Sequence, residues 1–195
     1  EPGDALSDGA VYDANRHILM SLITGLGAEV SDLGILPDEA AAVREGLSRA
    51  AKDHDLLLTS GGVSVGNEDY VRDAVEALGH LHFWRLAIKP GRPLALGQVG
   101  DTAFVGLPGN PVAATVCFIR FTRPLILGLA GATGWEPVLY RVTADFNYEK
   151  KAGRREWLRA RLEHEPGHAP IAVLFRPQGS GIINSLVQSH GLVEI

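Results

Sequence analysis

Three short motifs rich in glycine and proline hold most of the chemistry available to this sequence. TSGGVSVG (residues 59–66) directly follows an apolar run, and GLPGNP (residues 106–111) directly precedes a helical pattern. KPGRP (residues 89–93) lies between them. Backbone amides at a strand-to-helix turn point at an anion bound there, and a lysine fixed between prolines can hold an oxyanion. The three motifs together predict an anion-binding site.

The glycine motif does not match the common nucleotide-binding fingerprints. Residues 61–66 (GGVSVG) lack the lysine of a P-loop and depart from the dinucleotide spacing. They remain a plausible phosphate cradle, with Ser64 as a hydroxyl donor, although a double glycine can equally form a tight structural turn. Asp69, at the start of the next helical pattern, fits an N-cap on residue type alone.

Two further aspartates, Asp13 and Asp38, each precede a predicted helix. Taken singly, each is best explained as a helix cap. Beside a phosphate cradle, however, a pair of carboxylates fits Mg²⁺, which takes one or two carboxylates and completes its shell with phosphate oxygens and water. Both interpretations stay open at this stage.

Composition narrows the range of partners. The net charge of −5 and the lack of a basic run argue against nucleic acid and against an anionic membrane surface. Cys117 is the sole cysteine, which excludes an intramolecular disulfide and a cysteine-based zinc site, and it is expected to be a buried thiol. No apolar stretch is expected to cross a membrane, so the predicted location is the cytoplasm.

Hydrophobic periodicity predicts an α/β fold, an open and mostly parallel sheet with helices on both faces. Gly100 and Asp101 predict a hairpin, and Pro124 predicts a break in the last helix. Predicted helices cover residues 15–26, 37–52, 69–78 and 111–129, and predicted strands cover residues 29–36, 55–59, 82–88, 93–99 and 102–107. Asn110 is expected to cap the last helix, with Pro111 in its first turn.

The pattern changes after Gly134, where strand-like segments (138–149, 156–164, 169–175 and 192–195) predict a small all-β unit. The predicted organisation is a linker over 1–9, an α/β domain over 10–134 and a small β-barrel-like domain over 135–195 that looks truncated. Ligands of open parallel sheets bind beyond the carboxyl ends of the strands. Asp13, Asp38 and the two glycine loops are therefore expected to face one crevice.

The motifs, taken in order, resemble a known family. TSGGVSVG (59–66) with Asp69 and Tyr70, FWRLAIKPGRP (83–93) and GLPGNPV (106–112) are similar to the C-terminal half of the molybdopterin molybdenumtransferases. These are molybdenum-insertion enzymes of molybdenum cofactor biosynthesis, related to the gephyrin E domain. The likeness runs from about Gly3 to the end and implies the molybdopterin-binding fold.

This resemblance implies a Mg²⁺-dependent transferase that inserts molybdate into adenylylated molybdopterin and releases AMP. It also implies a homodimer with two further N-terminal domains and contact with an adenylyltransferase partner. The catalytic positions it implies are Asp13, Asp38 and Lys89, the two aspartates also being metal ligands. The implied substrate-binding positions are Gly61, Gly62, Ser64, Gly66, Asp69, Arg85, Pro108, Gly109, Asn110 and Pro111. The implied molybdate-binding positions are Lys89, Arg92, Arg159 and Ser180.

Three positions depart from the family's pattern. Arg85 and Arg92 stand where lysine is usual, and Ala113 stands where serine is frequent. Two other functions remain open, a molybdopterin adenylyltransferase and a non-catalytic molybdopterin-binding or scaffold module. The β unit after Gly134 argues against a stand-alone adenylyltransferase, and a pure binder would release no AMP.

Overall fold

Helices and strands alternate through the first two thirds of the chain. The computed structural model describes residues 3, 5–6, 9, 11–63, 69–164, 167 and 169–195. The helices are α1 (Asn15–Thr24), α2 (Ala40–Ala50), α3 (Tyr70–Leu78), α4 (Pro111–Cys117), α5 (Arg123–Leu129) and α6 (Asn184–Val187). The strands are β1 (Leu56–Ser60), β2 (Gly79–Arg85), β3 (Ile88–Lys89), β4 (Pro93–Val99), β5 (Thr102–Leu107), β6 (Thr143–Ala144), β7 (Arg155–Glu163), β8 (Ile171–Leu174) and β9 (Gly191–Glu194).

The first sheet has the strand order β1-β5-β4-β2. β1 and β5 are parallel, whereas β5 with β4 and β4 with β2 are antiparallel. The predicted α/β class is confirmed, but the sheet is more mixed than expected. The reason is local: the Gly100–Asp101 turn joins β4 to β5 as a hairpin, which forces that pair to be antiparallel.

Helices cover both faces of this sheet, as predicted. Leu56 and Leu58 of β1 face a core cluster formed with α1, α4 and α5, while Leu57 faces a second cluster with α2 and α3. Because successive strand residues point to opposite faces, a run of three leucines buries apolar surface on both sides.

The long apolar helix breaks near Pro124, as its sequence predicts. A π-helical turn over Phe118–Thr122 separates α4 from α5. The whole stretch, Pro111–Leu129, is long and apolar enough by length and composition to span a membrane, contrary to the expectation stated above. Half of it is buried inside the protein, and Val112, Val116 and Phe118 lie in the first core cluster. It is a core helix of the first sheet.

β7 is the centre of the second sheet. It pairs with β8 and β9 in antiparallel fashion and, at its first residues, with β3 in parallel fashion. Through β3, the segment that carries Lys89 therefore belongs to the second sheet. The strand expected over 138–149 is wrong except at β6, because Val138, Leu139 and Tyr140 are exposed and stand outside the sheet.

Two other expected strands differ from the structure. No strand forms over 29–36, because Asp32 Oδ1 accepts a hydrogen bond from Gly34 N (3.0 Å) and Gly34 has φ +74°, which makes a turn. Asp38 consequently does not follow a strand. The strand expected over 82–88 is divided into β2 and β3, since Leu86 N instead donates to Arg92 O (3.0 Å).

Candidate anion-binding site

A cavity of about 680 Å³ lies between the segment 86–93 and the second sheet. Its lining includes five basic residues, Lys89, Arg92, Lys151, Arg154 and Arg159. Among the described residues that line it, none is acidic. Ligand pockets commonly occupy about 300–1,000 Å³, so there is room for a larger molecule beside a small inorganic anion. This charge distribution favours an anionic ligand.

Arg159 is the most deeply buried of these cations, with 2% of its surface exposed. Its Nε donates to Ser185 Oγ (3.1 Å) and its Nη2 to Gly179 O (2.9 Å), both neutral acceptors. Within the described part of the chain no carboxylate pairs with it. Burial lowers the pKa of Arg159, because the charged form is desolvated without an opposite charge nearby. A bound anion would supply that charge.

The backbone around Arg159 is held by Gln178. Gln178 Oε1 accepts from Arg159 N (3.0 Å), and Gln178 Nε2 donates to Arg159 O (2.8 Å). Gln178, Gly179 and Ser180 line the same cavity. Ser180 belongs to the C-terminal part of the chain (residues 135–195, the second unit) and contacts the part before it (residues 11–134, the first unit), since its carbonyl accepts from Val112 N (3.0 Å) at the start of α4. Asn110 occupies the cap position without a side-chain cap bond, contrary to expectation, because Ser180 satisfies this amide instead.

Lys89 is tied to a carboxylate from the second unit. Its Nζ donates to Tyr148 Oη (2.8 Å) and lies 3.3 Å from Glu156 Oε2, while Tyr148 Oη donates to the same Oε2 (2.6 Å). Arg154 Nε donates to Glu156 Oε1 (2.6 Å). The hydrogen bond to Tyr148, followed by that to Glu156, raises the pKa of Lys89. The lysine is therefore charged at neutral pH.

Glu156 is fully buried, with 0% of its surface exposed. Burial alone raises the pKa of a carboxyl group, but the hydrogen bonds from Tyr148, Arg154 and Lys89 outweigh it and lower the pKa of Glu156. A carboxylate with a lowered pKa contributes stability above its unfolded pKa and loses it as pH falls through the folded pKa. Glu156 is thus ionised at neutral pH.

The loop that presents Lys89 and Arg92 is fixed from behind. Pro90 and Gly91 are buried, and Gly91 O lies 3.7 Å from the Sγ of Cys117 on α4. Burial raises the pKa of the Cys117 thiol to about 12, in agreement with the predicted buried thiol. Gly91 has φ +100°, and a Cβ added there would collide with Cys117 Sγ.

We expect Gly91→Ala to lower the free energy of unfolding by about 2–4 kcal/mol, since the left-handed backbone is strained for alanine and the core is overpacked. Urea denaturation measures the loss. Gly27→Ala is the matched control, because Gly27 also has positive φ (+81°) but a Cβ there meets nothing within 4 Å. Equal losses in the two variants would show that Cys117 does not restrict the loop.

The two glycine loops meet at the carboxyl ends of the parallel strands β1 and β5. Gly61 N donates to Leu107 O (3.0 Å), and a Cβ on Gly109 would lie 3.6 Å from Gly61 Cα. Asn15 joins them, since its Nδ2 donates to Ser60 Oγ and to Gly109 O, both at 2.7 Å. The expected meeting of these loops is thus found in their described residues.

Asp13 and Asp69 act locally as caps. Asp13 Oδ1 accepts from Asn15 N (3.0 Å) and Arg16 N (3.2 Å), and Asp69 Oδ1 accepts from Arg72 N (3.1 Å). Burial raises the pKa of Asp69. Asp38 is exposed and makes none of the hydrogen bonds or ion pairs found among the described side chains.

The structure divides the sequence-derived site residues into two groups. The cavity is lined by Lys89, Arg92, Pro108, Asn110, Arg159 and Ser180. Outside its lining lie Asp13, Asp38, Gly61, Gly62, Asp69, Arg85, Gly109 and Pro111. Ser64 and Gly66 lie outside the described residues. Ala113, which departs from the family's serine, also lines the cavity.

Sequence reasoning did not single out Asn15, Tyr148, Arg154, Glu156 or Gln178. One available signal was a glutamate inside the strand-forming segment 155–160, where a charged residue needs a partner once buried. Tyr148 and Gln178 had no such signal, because their role depends on contacts between distant segments.

Two family models match successive parts of the chain. Residues 2–128 match the family described as "Probable molybdopterin binding domain", and residues 141–195 match the "MoeA C-terminal region (domain IV)". Among solved structures, the chain is similar to a molybdopterin biosynthesis MoeA protein from Pyrococcus horikoshii, with a TM-score of 0.76 and 27% identity. That likeness covers 100% of this chain and 46% of the other.

Curated relatives lead to the same group. The chain is 39% identical over 193 residues to the molybdopterin molybdenumtransferase of Haemophilus influenzae, covering 97% of this chain and 47% of that protein. It is 33% identical over 192 residues to the enzyme of the same name from Nostoc sp., covering 96% and 44%. The chain spans about half the length of these relatives. It belongs to the family of probable molybdopterin-binding domains, and its last part matches the MoeA C-terminal region.

Proposed function

We propose that this chain forms the molybdate-binding and nucleotide-pterin-binding part of a molybdenum-insertion enzyme. The reaction is the Mg²⁺-dependent insertion of molybdate into adenylylated molybdopterin, with release of AMP. The observation that carries the proposal is the cavity in which Lys89, Arg92, Arg159 and Ser180 meet with no acidic residue in the described lining. Family membership supplies the chemical class of the anion.

Each group has a distinct part in holding molybdate. Arg159 provides a buried charge whose orientation is fixed by Ser185 and Gly179, and Lys89 provides a compact ammonium. Arg92 and Ser180 add an exposed charge and a hydroxyl at the wall. Donors that are already fixed bind an oxyanion without reorganising when it arrives.

The larger substrate is proposed to extend from this cavity toward the two glycine loops. Pro108 and Asn110 line the cavity and belong to the same loop as Gly109, which lies against Gly61. Gly62, Asp69, Arg85 and Pro111, together with Ser64 and Gly66, stay proposed contacts for the pterin phosphate and nucleotide. Closely approaching glycine backbones suit a phosphate.

Magnesium is proposed to bind through Asp13 and Asp38. Asp13 Oδ1 accepts from two backbone amides, whereas its Oδ2 forms an ion pair with Arg16 Nε at 4.0 Å. Asp38 is exposed. Carboxylate oxygens are suitable donors, and Mg²⁺ needs only one or two of them beside phosphate oxygens. When bound, the ion would neutralise charge on the phosphoanhydride that is broken. A homodimer, a cytoplasmic location and contact with the adenylyltransferase belong to the same proposal.

Lys89→Ala tests the anion role of the cavity. We expect about tenfold weaker molybdate binding, since one half-exposed charged hydrogen bond is lost. Molybdate-dependent AMP release should fall with it, while binding of adenylylated molybdopterin stays unchanged. Calorimetry with sodium molybdate and an AMP assay provide the two measurements. Lys52→Ala is the control, because Lys52 is exposed beyond the end of α2 and outside the cavity lining.

Unchanged molybdate affinity and AMP release in Lys89→Ala would remove Lys89 from the anion site. Binding of both ligands by the unsubstituted protein without any AMP release would instead favour a binding or scaffold module.

A further inference from the structure

We propose that Tyr148 and Glu156 are positioning residues that hold the Lys89 ammonium at the cavity wall with one N–H left for the anion. This inference rests on the proposed function of the cavity. Neither residue lines the cavity, so each would act through Lys89.

The hydrogen-bond capacity of Lys89, Tyr148 and Glu156 determines how many ammonium protons are left for a ligand. An ionised glutamate only accepts, so the single Tyr148 proton goes to Glu156 Oε2 (2.6 Å) and the hydroxyl can only accept from Lys89 (2.8 Å). The ammonium has three protons. Tyr148 takes one and Glu156, 3.3 Å away, takes another. One proton remains for a ligand.

The Glu156 carboxylate is held in one orientation. Arg154 Nε donates to Oε1 (2.6 Å), which directs Oε2 toward Tyr148 and Lys89. The backbone fixes both ends of the contact, because Lys89 of β3 is the register partner of Glu156 of β7. Bonds on both carboxylate oxygens and a paired backbone leave this acid one arrangement.

The contacts of Lys89 reduce the conformational entropy that it loses when an anion binds. A free lysine loses rotamer freedom when one orientation is imposed on it. Lys89 is already restricted by two partners, although 41% of its side chain is exposed. Binding an anion then costs less ordering, which is the usual benefit of preorganisation. The second unit thus prepares a residue of the first for its ligand.

Substitutions that preserve the net charge give the sharpest test. Removing the negative charge of Glu156 would by itself make the cavity more favourable for an anion. Tyr148→Phe keeps the ring in the core of the second unit but loses the hydroxyl. Glu156→Asp keeps the negative charge but moves it away from Lys89, because the side chain is one methylene shorter. We expect molybdate affinity, measured by calorimetry on the 195-residue chain, to fall about threefold to tenfold in each.

A double-mutant cycle separates positioning from general structural support. In a Lys89→Ala background, Tyr148→Phe should have no further effect on molybdate affinity, because its only route to the anion is gone. Glu163→Asp is the matched control, since Glu163 lies on the same strand as Glu156, pairs with Arg161 at 3.6 Å and does not line the cavity. Its affinity should equal that of the unsubstituted protein.

Two results would overturn the inference while leaving the anion site intact. One is unchanged molybdate affinity in Tyr148→Phe. The other is an equal loss of affinity on Tyr148→Phe substitution in the unsubstituted protein and in the Lys89→Ala variant. Tyr148→Phe alone suffices if Glu156→Asp fails to fold. Unchanged affinity in Lys89→Ala would contradict the proposed function itself, and this positioning role with it.

Discussion

Arg159→Met should weaken molybdate binding by about 100-fold, or about 2.7 kcal/mol, as expected for removing one partner of a buried charge pair. Arg159 is the largest fully buried side chain among the described residues, and its charge has only neutral partners. Methionine keeps much of the volume and removes the charge. Calorimetric titration with sodium molybdate measures the affinity.

Stability should respond differently from affinity in this variant. Without ligand, the free energy of unfolding should change by only about 1 kcal/mol, since an unpaired buried charge is removed together with its two hydrogen bonds. Molybdate should raise the melting temperature of the unsubstituted protein and have little effect on the variant, because a ligand stabilises only the state that binds it.

Arg161→Met is the matched control on the same strand. Arg161 is two residues further along β7, half exposed and paired with Glu163 at 3.6 Å. An exposed ion pair contributes about 0–1 kcal/mol, so both affinity and stability should be nearly unchanged. Equal loss of molybdate affinity at the two positions would indicate a diffuse electrostatic effect and no specific site at Arg159.

Trp157→Ala should cause the largest loss of stability, about 3–5 kcal/mol, as expected for deleting a buried tryptophan side chain. Trp157 belongs to β7 but lies in the core of the first unit with 3% of its surface exposed. Its Nε1 donates to Glu194 Oε2 (2.9 Å). The ring of Phe121 packs edge-on against the indole, with 6.0 Å between the ring centroids. The side chain therefore joins the two units. Urea denaturation followed by circular dichroism measures the change.

Trp135→Ala provides the comparison for this prediction. Trp135 is 42% exposed and lies in the connection between the units. Its removal should cost at most about 1 kcal/mol, since little buried surface is lost. Similar destabilisation of the two variants would mean that Trp157 does not carry the contact between the units.

Local signals explain the parts of the fold that were predicted well. The strands over 93–99 and 102–107 were predicted at their observed bounds, because apolar runs flank a Gly-Asp turn. The break before Pro124 and the cap at Asp69 follow from a missing N–H and a short acceptor side chain. The strand over 29–36 failed because β-branched residues favour a strand only where a partner strand exists.

The candidate site was predictable only in part, because motifs show which residues could bind an anion but not which of them meet. Lys89 and Arg92 were recognisable in the KPGRP motif and Arg159 was implied by the family resemblance, and the structure places all three at one cavity. The expectation that Asp13, Asp38 and the two glycine loops face one crevice was based on strand ends, and the two aspartates lie outside that cavity's lining. Whether they meet a common ligand stays a prediction.

Sequence alone determined the α/β class, the glycine and proline turns, and the residue types able to hold an anion, because these depend on neighbours within a few positions. The tertiary structure decided which of them meet. The pairing of β3 with β7 places Glu156 opposite Lys89, and the packing of Trp157 on the first core places Arg159 at the cavity. Lys89 and Glu156 are 67 positions apart in the chain, and at such separations burial and strand register, not local preference, set the geometry.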